Sequence, residues 1–221
     1  MKMKKKNQNN LYIALGMLIL FVLWTLSVRF LDVQKIGPNG SSVGFAVLNE
    51  SVHRFTGVHM LLYVITDWLG LFPLCFAFGF ALLGLFQMIQ RKSLFRVDRS
   101  ILMLGGFYIL VIAAYLLFEA FPINYRPVLI DGYLEASYPS STTMLVMCII
   151  PTAMMQLKAR IHNEAAKKAI LGSLAGFTGF MVIGRLISGV HWFTDIVGAV
   201  LFSAGLVILY GFARGLSATE S

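Results

Sequence analysis

Apolar residues in this chain come in long unbroken runs, not at the helical spacing of a surface helix or the alternation of a half-buried strand. Runs near the length a helix needs to cross a bilayer, about 20 residues, fall at 11–31, 61–89, 101–121, 141–157, 169–190 and 192–213. The pattern predicts an all-α polytopic membrane protein with six transmembrane helices. The second run exceeds one span, so either it tilts or its first turns belong to the outer surface. Between runs one and two, Gly37-Pro38-Asn39-Gly40 is a turn signal, and the moderately apolar stretch 43–58 after it reads as a short interfacial helix in an outer loop. The segment 121–140 holds Pro122, Pro127 and Pro139 among Asn124, Asp131 and Glu135, which excludes it as a span. There is no internal repeat or low-complexity stretch. The expected organisation is a basic N-terminal tail at 1–10, one six-helix domain at 11–214 and a C-terminal tail at 215–221.

Composition agrees: 58% of the 221 residues are hydrophobic and 13% charged, too apolar for a soluble domain. The net charge of +8 raises nucleic acid as a partner, but its distribution argues against one. Lys2, Lys4, Lys5 and Lys6, then Arg91, Lys92, Arg96 and Arg99, then Lys158, Arg160, Lys167 and Lys168, and finally Arg214 all fall on one face of a six-span chain. The positive-inside rule makes that face, and both termini, cytoplasmic. The lysine-rich start resembles a signal-peptide n-region, but its apolar stretch is long and no Ala-x-Ala-like site follows, so the expectation is a retained signal anchor. Cys75 and Cys148 lie inside runs and read as packing residues, not as a disulfide or metal site.

Charges inside an apolar stretch are expensive and mark function. Arg185, His191 and Asp195 flank the junction of runs five and six in Gly184-Arg185-Leu186-Ile187-Ser188-Gly189-Val190-His191-Trp192-Phe193-Thr194-Asp195. The short connection Ser188-Gly189-Val190 makes the two helices antiparallel neighbours and brings Arg185 near His191. His191 and Asp195, four apart, share one face if both are helical; the Asp then fixes the imidazole tautomer and frees the other nitrogen as nucleophile or base. Arg126 and Arg185 are planar forks suited to phosphate oxygens. Ser140, Ser141, Thr142 and Thr143 follow Pro139 at a helix start, which serves either as an N-cap or as further anion ligands. Asp67, inside run two, reads as a helix–helix hydrogen bond. No histidine or carboxylate pair besides His191 and Asp195 shows metal-ligand spacing, and no cofactor is implied. Oligomeric state leaves no signature in the chain.

These residues resemble the type-2 phosphatidic acid phosphatase and haloperoxidase superfamily, whose membrane branch has six spans and an active site at the outer bilayer surface. Its third motif is Ser-Arg, five residues, His, three residues, Asp; this chain has Gly184-Arg185, then His191, then Asp195. Of its first motif, Lys, six residues, Arg-Pro, the chain has Arg126-Pro127, with Glu119 at the lysine. Of its second, Pro-Ser-Gly-His, it has Pro139-Ser140, with Ser141 and Thr142 at the glycine and histidine. The resemblance implies that Arg126, Arg185, Ser140 and Ser141 bind phosphate, that His191 is the nucleophile and that Asp195 orients it. It implies a lipid phosphate substrate, a phosphohistidine intermediate and hydrolysis at the extracytoplasmic face without metal.

Thr142 in place of the histidine removes the family's general acid, a contribution of about 100- to 10,000-fold. This favours substrates such as lipid pyrophosphates, whose leaving group needs less protonation. Glu119 either stays protonated and donates a hydrogen bond, as a replacement acid, or pairs with one of the arginines. Polyprenyl pyrophosphate, phosphatidic acid and phosphatidylglycerophosphate all fit as substrates. Two other readings stand beside hydrolysis: transfer of the phosphoryl group to another acceptor, and a non-catalytic lipid-phosphate-binding or scaffold descendant.

Overall fold

In the computed structural model, residues 2–217 are described. The elements are α1 (Lys2–Phe30), α2 (Ala46–Thr56), α3 (Met60–Leu69), α4 (Phe72–Arg91), α5 (Arg99–Ala120), α6 (Ser141–Arg160), α7 (Glu164–Ile187) and α8 (Phe193–Ser217). Six helical stretches, with α3 and α4 counted as one, are long and apolar enough to cross a membrane, and the chain is an all-α multi-pass membrane protein. Residues 2–10, read from the sequence as a tail, continue α1 as helix. Of the expected C-terminal tail, 215–217 finish α8 and 218–221 lie outside the described residues.

The bundle is built around α6, which packs on α8, α7 and α4, while α1 lies along α8 and α3 along α7. Met144, Val146, Cys148, Ile150 and Ala153 of α6 are buried, and Ala199, Leu206 and Tyr210 of α8 complete the apolar centre. The outward faces of α1, α4, α5 and α7 expose Leu20, Leu23, Phe78, Phe86, Ile109, Leu116 and Ile183, which in lipid is the favourable arrangement because the solvent there is itself apolar.

The overlong second run is not one straight helix. It breaks at Gly70-Leu71, where the Gly70 N–H is shared between the Thr66 and Asp67 carbonyls and Pro73 follows in the first turn of α4. A Cβ on Gly70 would come 2.8 Å from Thr142 Cγ2, so the glycine lets the start of α6 approach the break.

The two ends of the bundle differ. At one end the 92–98 turn is tied to α4 by Gln87 and Arg91, which both bond the Asp98 carboxylate, and Arg214 of α8 donates to the Met155 carbonyl. At the other end three connections interlock. The interfacial helix expected within 43–58 exists as α2, but it is docked and not free: Asn49 accepts from the Thr194 N–H and donates to Thr194 Oγ1 and the Gly44 carbonyl, fastening α2 to the start of α8. His59 N–H donates to the Ser188 carbonyl at 2.9 Å. Gly189 sits at φ +69°, where a Cβ would lie 1.9 Å from the Gly57 carbonyl oxygen, so only glycine allows this turn to pass under the α2–α3 corner.

The proline-rich segment 121–140 folds back on itself. Asp131 and Gly132 both have positive φ, the requirement of a tight hairpin turn that Asp-Gly meets best. Ile130 and Tyr133 exchange both backbone bonds across it. Farther along, Arg126 N–H donates to the Glu135 carbonyl and Ser137 N–H to the Asn124 carbonyl. Two more residues separate these pairs on the 126–130 side than on the 133–135 side, a bulge that begins at Pro127, which has no N–H to contribute. This fold-back sets Arg126 against Glu135 and points Ser137 into the bundle.

Candidate active site

His191 and Asp195 do not lie together on a helix face as expected, because α8 begins only at Phe193 and His191 stands in the turn before it. Asp195 instead reaches back to accept the Trp192 N–H at 2.9 Å, an acidic residue three along capping the helix start. His191 Nδ1 is 3.7 Å from Asp195 Oδ2, beyond hydrogen-bond range. Ser137 fills the gap: its hydroxyl donates to Asp195 Oδ2 and lies 3.2 Å from His191 Nδ1.

The donor inventory then assigns the tautomer. The hydroxyl's one proton goes to the carboxylate, so Ser137 can only accept from His191, which places the imidazole proton on Nδ1. On the other side of the ring, Arg185 Nη2 lies 3.1 Å from Nε2, and a guanidinium never accepts, so Nε2 presents its lone pair. All four residues are buried, with Arg185 and Asp195 fully enclosed. Burial first, then the nearby charges of Arg126 and Arg185, holds the His191 imidazole well below its ordinary pKa and keeps the ring neutral. A neutral, oriented imidazole with a free nitrogen beside a guanidinium can attack an electrophile that carries anionic oxygens.

The second arginine arrives from the fold-back. Arg126 and Arg185 both stand over the Tyr63 ring of α3, their guanidinium carbons 5.7 and 5.1 Å from its centre, and the cation–π attraction offsets their mutual repulsion. Each also has a carboxylate: Arg126 Nε is 3.0 Å from Glu135 Oε2, and Arg185 Nη1 is 3.4 Å from Asp67 Oδ1. Even so, Arg126 Nη1 and Arg185 Nε are buried without a hydrogen-bond partner among the described residues. Unspent buried guanidinium donors beside a neutral imidazole are what an oxyanion ligand satisfies.

The remaining candidates sit farther out. Ser140 is buried, but its hydroxyl donates to Thr143 Oγ1 and its N–H to the Asp195 carbonyl, so it fastens α6 to α8. Ser141 lines a narrow crevice with Ser137, Tyr138, Pro139 and Glu119. Among the described residues neither hydroxyl is hydrogen-bonded to an arginine. Glu119, at the exposed last turn of α5, pairs with neither arginine; Glu135 and Asp67 take those places. Thr142 rests against the α3–α4 break. Among the described residues no three His, Cys, Asp or Glu side chains converge as metal ligands would.

Sequence reasoning missed Ser137 and Glu135 as members of the cluster. The available signal was Asp131-Gly132, which marks a hairpin turn and would have brought both back toward Asn124 and Arg126.

The PAP2 superfamily profile matches residues 106–214, a range that contains Arg126, Ser137, Arg185, His191 and Asp195. No curated protein sequence matches the chain significantly. Among solved structures, the crystal structure of a transmembrane PAP2-type phosphatidylglycerolphosphate phosphatase from Bacillus subtilis superposes with a TM-score of 0.57 at 20% identity, covering 95% of this chain and 98% of that one. At that identity the likeness speaks for the fold. The match to the PAP2 superfamily profile thus covers residues 106–214, within a six-span all-helical membrane fold.

Proposed function

We propose that the chain is a membrane phosphatase that hydrolyses a lipid phosphate or pyrophosphate through a phosphohistidine on His191. The observation that carries the reading is the oriented imidazole: Nδ1 is held by the Ser137–Asp195 relay and the Nε2 lone pair faces Arg185. A phosphoryl group held by Arg185 and Arg126 displaces Arg185 from Nε2. Attack by Nε2 forms the N–P bond as the bond to the leaving oxygen breaks, and Asp195, through Ser137, stabilises the positive charge that develops on the ring. Water then releases phosphate from the histidine. The arginines neutralise the phosphoryl oxygens in both steps.

The basic residues gathered at the opposite end of the bundle support an extracytoplasmic site, where a lipid headgroup at the outer leaflet reaches it. Phosphatidylglycerophosphate, the substrate class named for the Bacillus protein, stands with phosphatidic acid and polyprenyl pyrophosphates as the candidates. A non-catalytic, lipid-phosphate-binding role is favoured by one observation, the carboxylate partners that both arginines already have.

The deciding experiment measures phosphate release from a panel of these lipids by the purified protein in detergent, beside His191→Ala. Release that the substitution abolishes is expected; release that survives it removes His191 as nucleophile. No release, with saturable lipid-phosphate binding weakened by Arg185→Ala, would establish the binding role instead.

A further inference from the structure

A phosphohistidine mechanism needs a proton for the leaving oxygen, and Thr142, standing where the family has its histidine, is too weak an acid to give one. We infer that Asp67, on the first half of the broken second span, is the group that protonates the leaving oxygen, an assignment that rests on the phosphatase reading.

Three observations converge on Asp67. Tyr63 and Asp67 are four apart in α3 and share the face turned to α7, where the ring stacks under Arg185 and the carboxylate meets its Nη1. The same guanidinium contacts His191 through Nη2, so Asp67 stands one guanidinium away from the attacking nitrogen. A phosphoryl group gripped by that guanidinium therefore has the nucleophile at one edge and the carboxyl at another. Next, α3 ends against the very residue that lacks the acid: a Cβ on Gly70 would meet both Thr142 Cγ2, at 2.8 Å, and the Asp67 carbonyl oxygen, at 2.9 Å. Last, the Asp67 side chain is 54% exposed while Arg185 is fully buried, so this carboxyl, unlike buried Asp195, is open to the outside of the protein.

The other acids fit less well. Glu135 is anchored on the Arg126 side by both its backbone and its carboxylate. Glu119 faces the crevice beside Ser141. Asp195 is committed to Ser137 and the Trp192 N–H.

When phosphate takes the Arg185 fork, Asp67 is freed from it and lies beside a phosphoryl oxygen, and a phosphate that arrives carrying one proton hands that proton to the carboxylate. In the first step the bond from phosphorus to the leaving oxygen breaks, its electron pair stays on oxygen, and the Asp67 proton is transferred to it while Nε2 bonds to phosphorus. In the second step water attacks phosphorus, the Asp67 carboxylate takes a proton from that water, and the N–P bond breaks to return neutral His191 and phosphate.

The test compares wild type and Asp67→Asn on two substrates that share a phosphoryl group: phosphatidic acid, with an alkoxide leaving group, and a nitrophenyl phosphate, whose phenolate leaves without help. Asparagine keeps the size and a hydrogen bond to Arg185 but has no proton to give. Expected is a fall in kcat of about 100- to 10,000-fold on phosphatidic acid and of less than about tenfold on the nitrophenyl ester. Adding Thr142→His to Asp67→Asn should restore turnover of phosphatidic acid selectively. Glu135→Gln, which removes the other arginine-paired carboxylate, should affect both substrates alike. Equal losses from Asp67→Asn on the two substrates, or a change confined to KM, would overturn the assignment and leave Asp67 a partner of Arg185. If wild type releases phosphate from neither ester nor from any lipid of the panel, the phosphatase reading itself falls and takes this assignment with it.

Discussion

Ser137→Ala tests whether the serine is a working link between Asp195 and His191. The substitution removes one hydroxyl from a fully packed position and with it two contacts, the bond to Asp195 Oδ2 and the acceptor for the imidazole proton on Nδ1. Asp195 Oδ2 keeps only the Trp192 N–H, and the tautomer that leaves Nε2 free is then favoured by Arg185 alone. A hydrogen bond to a charged group contributes about 1.5–3 kcal/mol. If that difference appears in the transition state, where the ring becomes positive, kcat/KM falls roughly 10- to 150-fold at 1.36 kcal/mol per decade. The assay is phosphate release from phosphatidic acid in detergent for Ser137→Ala, Asp195→Asn and the double variant, with thermal unfolding recorded to confirm that each is folded. A relay predicts strong non-additivity, the double variant falling little below the worse single one. Additive losses, or a Ser137→Ala enzyme within twofold of wild type, would refute the relay and return Asp195 to direct contact with His191 or to helix capping alone.

The neutral imidazole sets a pH expectation. Burial and the arginine charges hold His191 below its ordinary 6.5, so the unfolded chain binds the proton first as pH falls. Its contribution to stability is therefore complete above 6.5 and is lost below it toward the folded value. The acid limb of kcat/KM for the free enzyme, read from a pH–rate profile, should lie below 6.5; a limb above it would contradict a neutral resting histidine. Gly189→Ala should destabilise the fold by about 2 kcal/mol or more, since a left-handed alanine alone costs about 1–2 kcal/mol and its Cβ would strike the Gly57 carbonyl. An unchanged unfolding temperature in detergent would count against that corner as a fixed contact.

The spans were readable because the signal is additive along the chain: about 20 apolar residues in a row need no knowledge of partners. The broken second span was half readable, its excess length visible but its kink dependent on Gly70 and the approach of α6. Arg185, His191 and Asp195 were readable as neighbours because a three-residue connection leaves antiparallel helices little freedom. Their connection was not, because helical spacing presumes a helix that starts early enough to include His191. Ser137 comes from 54 residues away, and its contact depends on the fold-back at Asp131-Gly132 and on the bulge at Pro127. Glu119 is a related case. Motif spacing placed it with the arginines, whereas the structure leaves it on the exposed last turn of α5 and fills both arginine positions with Glu135 and Asp67.

Those two carboxylates change how the site's charge is understood. Counted by sequence, Arg126 and Arg185 are a bare cationic clamp. In the fold each has an acidic partner and both share one aromatic ring, so the cluster stays close to neutral without a ligand. Two buried, unpaired arginines would be costly so close to an apolar phase. A partly exposed carboxylate is an exchangeable counterion, able to release its arginine when a more highly charged anion takes its place. The acids thus make the arginine pair tolerable while leaving Arg126 Nη1 and Arg185 Nε unspent, and, on the proposed function, affinity for a phosphate is the difference between two ion pairings. A site built this way favours ligands that carry more negative charge than one carboxylate, which is the property that separates a phosphate or pyrophosphate headgroup from the fatty acids and zwitterionic lipids around it.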